Sequence, residues 1–96
     1  MISGRAAMTG DGAVGPSGRR IRVWSVSLIA GAGGAGQVIL RNGTSATDTI
    51  EMEVTGSGAN EGVHQDFKTG RVFPDGCFYD HDTNNSIAII SYTVDI

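Results

Sequence analysis

Ninety-six residues fit one small domain, which buries only roughly 60–65% of the surface its unfolded chain exposes, so a second lobe is excluded. Fifteen glycines and two prolines lift the turn-forming share to about 18%, above an average of roughly 12% and below the roughly 25–30% of a low-complexity chain. The formal charge of −3 argues against a general nucleic-acid binder, because neutralising phosphates takes a surplus of Lys and Arg.

Residues 1–18 hold five glycines (Gly4, Gly10, Gly12, Gly15, Gly18), and their few apolar side chains show no period. They are expected to form an extended N-terminal arm. Such an arm is either a disordered tail or a segment ordered on a neighbouring subunit, where main-chain hydrogen bonds offset its ordering entropy. The remainder, 19–96, is the folded domain. The β-branched residues (Val 8, Ile 9, Thr 8 in the whole chain) outnumber the straight-chain helix formers, with Leu present twice and Lys once.

Residues 20–30 (RIRVWSVSLIA) alternate Trp24, Val26, Leu28 and Ala30 with Ile21, Val23, Ser25, Ser27 and Ile29, which predicts a long strand covered on both sides with Trp24 in the core. The Gly-Ala run 31–36 reads as a hairpin loop leading to a strand at 37–41, and Asn42-Gly43 matches a type I′ turn. Residues 48–55 (DTIEMEVT) place Ile50, Met52 and Val54 inward and Thr49, Glu51, Glu53 and Thr55 outward. A weaker strand at 63–68 and the segment 71–73 precede Pro74-Asp75-Gly76, read as the turn of a hairpin continued by 77–79. A last strand at 86–96 aligns Ala88, Ile90, Tyr92, Val94 and Ile96. Six to eight short strands in about 80 residues predict an all-β protein, a small antiparallel sandwich of jelly-roll, immunoglobulin-like or barrel-like form.

Motifs for chemistry are weak. Gly31, Gly33 and Gly36 fit G-x-G-x-x-G after a strand, but no helix follows, so no dinucleotide site is expected. Asp80, Asp82 and Asn84 have the spacing of a calcium loop, yet Asn85 and Ser91 stand where that loop needs Gly and Glu, so an acidic connecting loop is expected there. Acids, histidines (His64, His81) and hydroxyls fall in no recognised spacing, and neither an enzyme nor a cofactor is expected. Cys77 has no partner for an internal disulfide and reads as a buried small hydrophobe. A small chain without staples commonly leans on oligomerisation.

The charge is split along the chain. Residues 1–41 carry Arg5, Arg19, Arg20, Arg22 and Arg41 against Asp11, a balance of +4, whereas residues 42–96 carry Lys68 and Arg71 against nine acids, a balance of −7. Arg5, Arg19, Arg20 and Arg22 are therefore the candidate partner-binding residues, meeting acidic surface. The first twelve residues lack the apolar run of a signal peptide, and no stretch reaches the ~18 apolar residues of a membrane span; a soluble protein made in a reducing cytoplasm is expected.

The order of these pieces over residues 19–96 carries a family resemblance. The strand IRVWSVSLIAG, a Gly/Ala turn, VILRNGTSATDTI, DFKTGRVFPDGCFYD and the terminal SIAIISYTV resemble small β-sandwich virion proteins of tailed bacteriophages, of the head decoration or cement type. The resemblance implies a protein on the capsid exterior, bound to the major capsid protein and to copies of itself, with a trimer favoured. Alternative expectations are a tail, collar or fibre-associated structural domain, and, in another class, a small carbohydrate- or ligand-binding module.

Overall fold

The computed structural model describes residues 2–94, and these form eight strands with no helix among them: β1 (Ile2–Met8), β2 (Gly12–Val14), β3 (Ile21–Ala30), β4 (Gln37–Asn42), β5 (Thr49–Thr55), β6 (Gly62–Phe73), β7 (Cys77–His81) and β8 (Asn85–Val94). They make two four-stranded antiparallel sheets, the first in the order β1-β8-β3-β6 and the second in the order β2-β7-β4-β5. Strand β1 pairs with β8, β2 with β7, β3 with β6 and β4 with β5, so the chain is one long hairpin with its tip between β4 and β5. Rolling that ribbon brings β3 beside β8 and β4 beside β7. This is the jelly-roll arrangement. Six of the seven connections consequently cross between the sheets, and the Gly-Ala run 31–36 and the Pro74-Asp75-Gly76 turn are crossovers rather than hairpin loops. Gly76 has φ +113°, a conformation glycine adopts without strain, and its N–H donates to the Phe73 carbonyl to close that corner.

The core lies between the sheets and follows the alternation of the strands. Val38 and Leu40 from β4, Met52 and Val54 from β5, Ala88, Ile90 and Val94 from β8, with Phe73 and Tyr79, are buried. Ile96 lies outside the described residues.

Strand β3 departs from the expected phase. Between Val23 and Ser25 its register against β8 shifts by one residue, a β-bulge at Trp24. The bulge lets Ile21 and Val23 before it, and Val26 and Leu28 after it, all face the core. Trp24 is therefore half-buried on the outer face of the first sheet rather than a core residue. A similar shift at Glu51 in β5 leaves Ile50 42% exposed beside Arg41, where strict alternation had placed it inward.

The N-terminal segment is extended, and its strands pair within the chain: β1 is an edge of the first sheet and β2 an edge of the second. The backbone thus draws no boundary at residue 18. Small residues are needed here, because the ring of Tyr92 lies over Gly4, where a Cβ would collide with it. Asn42-Gly43 does not form a two-residue turn. The connection runs over 43–48, organised by the Asp48 carboxylate, which accepts the N–H groups of Thr44 (2.8 Å) and Ser45 (3.0 Å). Those bonds to the charged form hold the Asp48 carboxyl below its ordinary value.

One end of the sandwich is closed by a side chain acting as backbone. Asn85 at the start of β8 is 7% exposed. Its Oδ1 accepts the Gln37 N–H (2.9 Å), and its Nδ2 donates to the Gln37 carbonyl (2.8 Å) and to the Tyr79 hydroxyl (2.6 Å). The amide ties β8 of the first sheet to β4 and β7 of the second.

Candidate interaction surface

The outer face of the first sheet is built by the residues that alternate with the core set. Arg22 pairs across to Thr93, and Thr93 to Ser3. One rung on, Trp24 bulges outward, and its indole N–H donates to Thr93 Oγ1 (3.0 Å). The Arg22 guanidinium lies 5.7 Å from the centroid of that indole and donates from Nη1 to the Thr69 carbonyl (2.8 Å). Cation and ring therefore hold one another in place at the surface. Arg19 and Arg20 precede β3 in the β2–β3 loop and are exposed. Arg5 lies on β1, exposed on the same outer face and roughly 12 Å from Arg22 at ordinary strand spacings. The structure thus places Arg22 against Trp24, with Arg19 and Arg20 in the loop that leads into β3 and Arg5 apart on the edge strand.

Farther along the same face runs an apolar strip. Ala7 is opposite Ile89, and Ile87 opposite Ile29, which is 49% exposed. The outer face of the second sheet has the opposite charge character: Glu51 and Glu53 are exposed on β5, and Asp80 is paired to Arg41 through Nη2 (2.9 Å). The sequence split does not map cleanly onto the two faces, since Arg41 lies on the second sheet and Asp66 on the first.

A further constellation escaped the sequence reading. Ser27 on β3 stands opposite His64 on β6; Ser27 Oγ is 2.6 Å from His64 Nδ1, and His64 Nε2 is 2.9 Å from Asp66 Oδ1. The chain Ser–His–Asp has the order of a nucleophilic relay. Its surroundings are unlike those of one. The imidazole and carboxylate side chains are 54% and 77% exposed, and no cavity opens beside them among the described residues. Without desolvation, such a relay gains little over imidazole in water. The alternate placement of His64 and Asp66 was visible in sequence; their partner, 37 residues away, was not.

The remaining candidates make contacts within the fold. Asp80 turns toward Arg41 and Asp82 accepts the Asn84 N–H (2.8 Å), so the oxygens of the 80–84 loop do not converge. Among the described residues no group of three His, Cys, Asp or Glu side chains could hold a metal ion. Gly31 and Gly36 use their backbones within the fold, Gly31 donating to the Asn84 carbonyl (2.7 Å) and Gly36 accepting from Gly56 (2.7 Å). His81 sits at the end of β7, its Nδ1 3.1 Å from the Tyr79 hydroxyl and its N–H donating to Asp11 (2.6 Å). Burial pushes the Cys77 thiol up to about 12, a protonated and unreactive state at neutral pH. Among the described residues no helix is long and apolar enough to cross a membrane. No family model matches this sequence, and no curated protein or solved structure is significantly similar to it.

Proposed function

We propose that this protein is a non-enzymatic structural component of a virion, a capsid decoration or cement protein. It binds the exterior of the major capsid lattice and works as a homo-oligomer, with a trimer favoured. The observation that carries this reading is the half-buried Trp24 on the outer face, braced by Arg22, with the exposed Arg19 and Arg20 just ahead of β3 in the chain, on a face that continues into an apolar strip. Trp and Arg are the side chains that most often dominate binding energy at protein interfaces, and a basic rim selects an acidic partner surface. Jelly rolls occur among viral capsid and lectin domains, and that likeness of topology supports the reading only by analogy.

Such a role works by mass action. A domain that binds the closed, expanded shell and not its loosened form shifts the equilibrium toward closure, and many symmetric copies multiply a modest contact. Removing residues 2–18 would take an edge strand from each sheet, so point variants are the better test. Co-sedimentation with purified expanded capsids should fall at least about tenfold in affinity for Trp24→Ala with Arg22→Glu. Undiminished binding of that double variant would overturn the assignment of the face, and absence of binding by the native protein would overturn the capsid role. Antibody labelling of virions by negative stain, with signal on tail or collar, would favour the alternative structural location. A glycan-binding module would need Trp24 as a stacking platform, but Arg22 already lies over that ring.

A further inference from the structure

We infer that copies of this chain associate head to tail through the two edges of the first sheet, β1 of one copy lying against residues 62–66 of β6 in the next, with Arg5 facing Asp66. The inference deepens the homo-oligomer part of the proposed function, and it stands on the register of the sheet.

Within one copy, Arg5 pairs with Ser91, Ser91 with Ser25 and Ser25 with Asp66, so Arg5 and Asp66 end the same rung at opposite edges. Strand β6 runs antiparallel to β3, and β3 runs antiparallel to β8, as does β1. A neighbour set alongside at the same height therefore offers β6 antiparallel to β1, continuing the sheet. Arg5 then meets Asp66 of that neighbour on the outer face, and Met8 meets its Val63 on the inner face. Met8 and Val63 are each partly buried hydrophobics packed against the core at their respective edges, and the seam would complete their burial.

The other features of the edges agree with this choice. Natural sheets protect edge strands by shortness, charge or bulges. Edge β2 has three residues, β5 is bulged and carries Glu51 and Glu53, and β6 beyond Asp66 breaks register at 67–70. Strand β1 is neither short nor bulged: seven residues pair with β8 without a shift, and Arg5 is its sole charge. A regular edge with one cation is matched by a short regular edge ending in one anion at the same height. Because the contact joins two different surfaces, repeating it generates a ring when the rotation closes.

The test uses the full chain alone, without capsids, by light scattering across a dilution series. A trimer has a mass of about 30 kDa, three times 9.9 kDa. Arg5→Asp and Asp66→Arg should each raise the dissociation constant at least about tenfold by placing like charges together, and the double reversal should restore it to within about threefold. Restoration excludes misfolding as the cause of the single losses. A native protein that is monomeric throughout the series, single reversals without effect, or a double variant no better than the singles would each overturn the inference. Capsid binding by Trp24 and Arg22 is read in a separate assay, so either idea can fail while the other stands.

Discussion

Replacing Asn85 by Ala removes three hydrogen bonds at a position that is 7% exposed, leaving the Gln37 N–H, the Gln37 carbonyl and the Tyr79 hydroxyl without their amide partner. Tyr79 keeps His81 Nδ1 at 3.1 Å, so the two Gln37 groups carry most of the loss. At about 1–1.5 kcal/mol for each, plus a small cavity term, the expected destabilisation is about 3 kcal/mol. For a domain of this size that corresponds to a fall of roughly 12–24 °C in Tm, read by circular dichroism or calorimetry. The clasp also explains Gly36, whose missing Cβ leaves the space that Asn85 Oδ1 occupies. Gly36→Ala should displace the amide and reproduce much of the loss. Combined with Asn85→Ala, it should add little, because both changes break the same bonds. A Tm for Asn85→Ala within about 4 °C of the native protein would refute the reasoning, since water would then be replacing the amide at no cost.

Trp24→Ala should cost about 1–2 kcal/mol by urea denaturation, well short of the roughly 3–5 expected for a tryptophan in the core. A loss in the core range would contradict its position on the outer face. Cys77 should resist thiol reagents at about pH 8 in the native protein and react fully once the protein is unfolded in denaturant, since burial holds it protonated up to about 12. Asp48 supplies a pH dependence with a definite sign. Its folded carboxyl lies below the ordinary 3.8, so its contribution is complete above that value and is lost as the pH falls from there toward the folded value. Asp48→Asn should therefore flatten the acid limb of the stability profile, measured as the urea midpoint between about pH 6 and pH 3, relative to the native protein.

The strands with one wet face were legible from local pattern. Residues 49–55 alternate because Glu51 and Glu53 face water while Met52 and Val54 face the core. Residues 20–30 misled the same rule, since an unbroken alternation divides their apolar residues between two faces. Only the bulge at Trp24 brings Ile21, Val23, Val26 and Leu28 into one core-facing row. Residues 2–8 show no period because their inward positions are Gly4, Ala6 and Met8, two of them small, with the ring of Tyr92 from β8 lying over Gly4. Exposure of Arg5, Arg19 and Arg20 was legible, since charge rarely enters a core. The Ser27–His64–Asp66 relay was not, because it depends on which strands pair, and that is decided by the rolling of the whole ribbon.

That ribbon also sets an order of assembly in time. The nearest partners in sequence are β4 and β5, joined by a six-residue connection, whereas β1 and β8 are the paired strands farthest apart in sequence. Closing a long loop costs more entropy than closing a short one, so pairing starts at the middle of the chain and proceeds outward, with the N-terminal strand added last. In refolding followed by pulsed hydrogen exchange, amides of 37–55 should gain protection before those of 2–8. A nascent chain would thus hold β1 in waiting until β8 has been made, and a cut that removes either strand would leave the other without its partner.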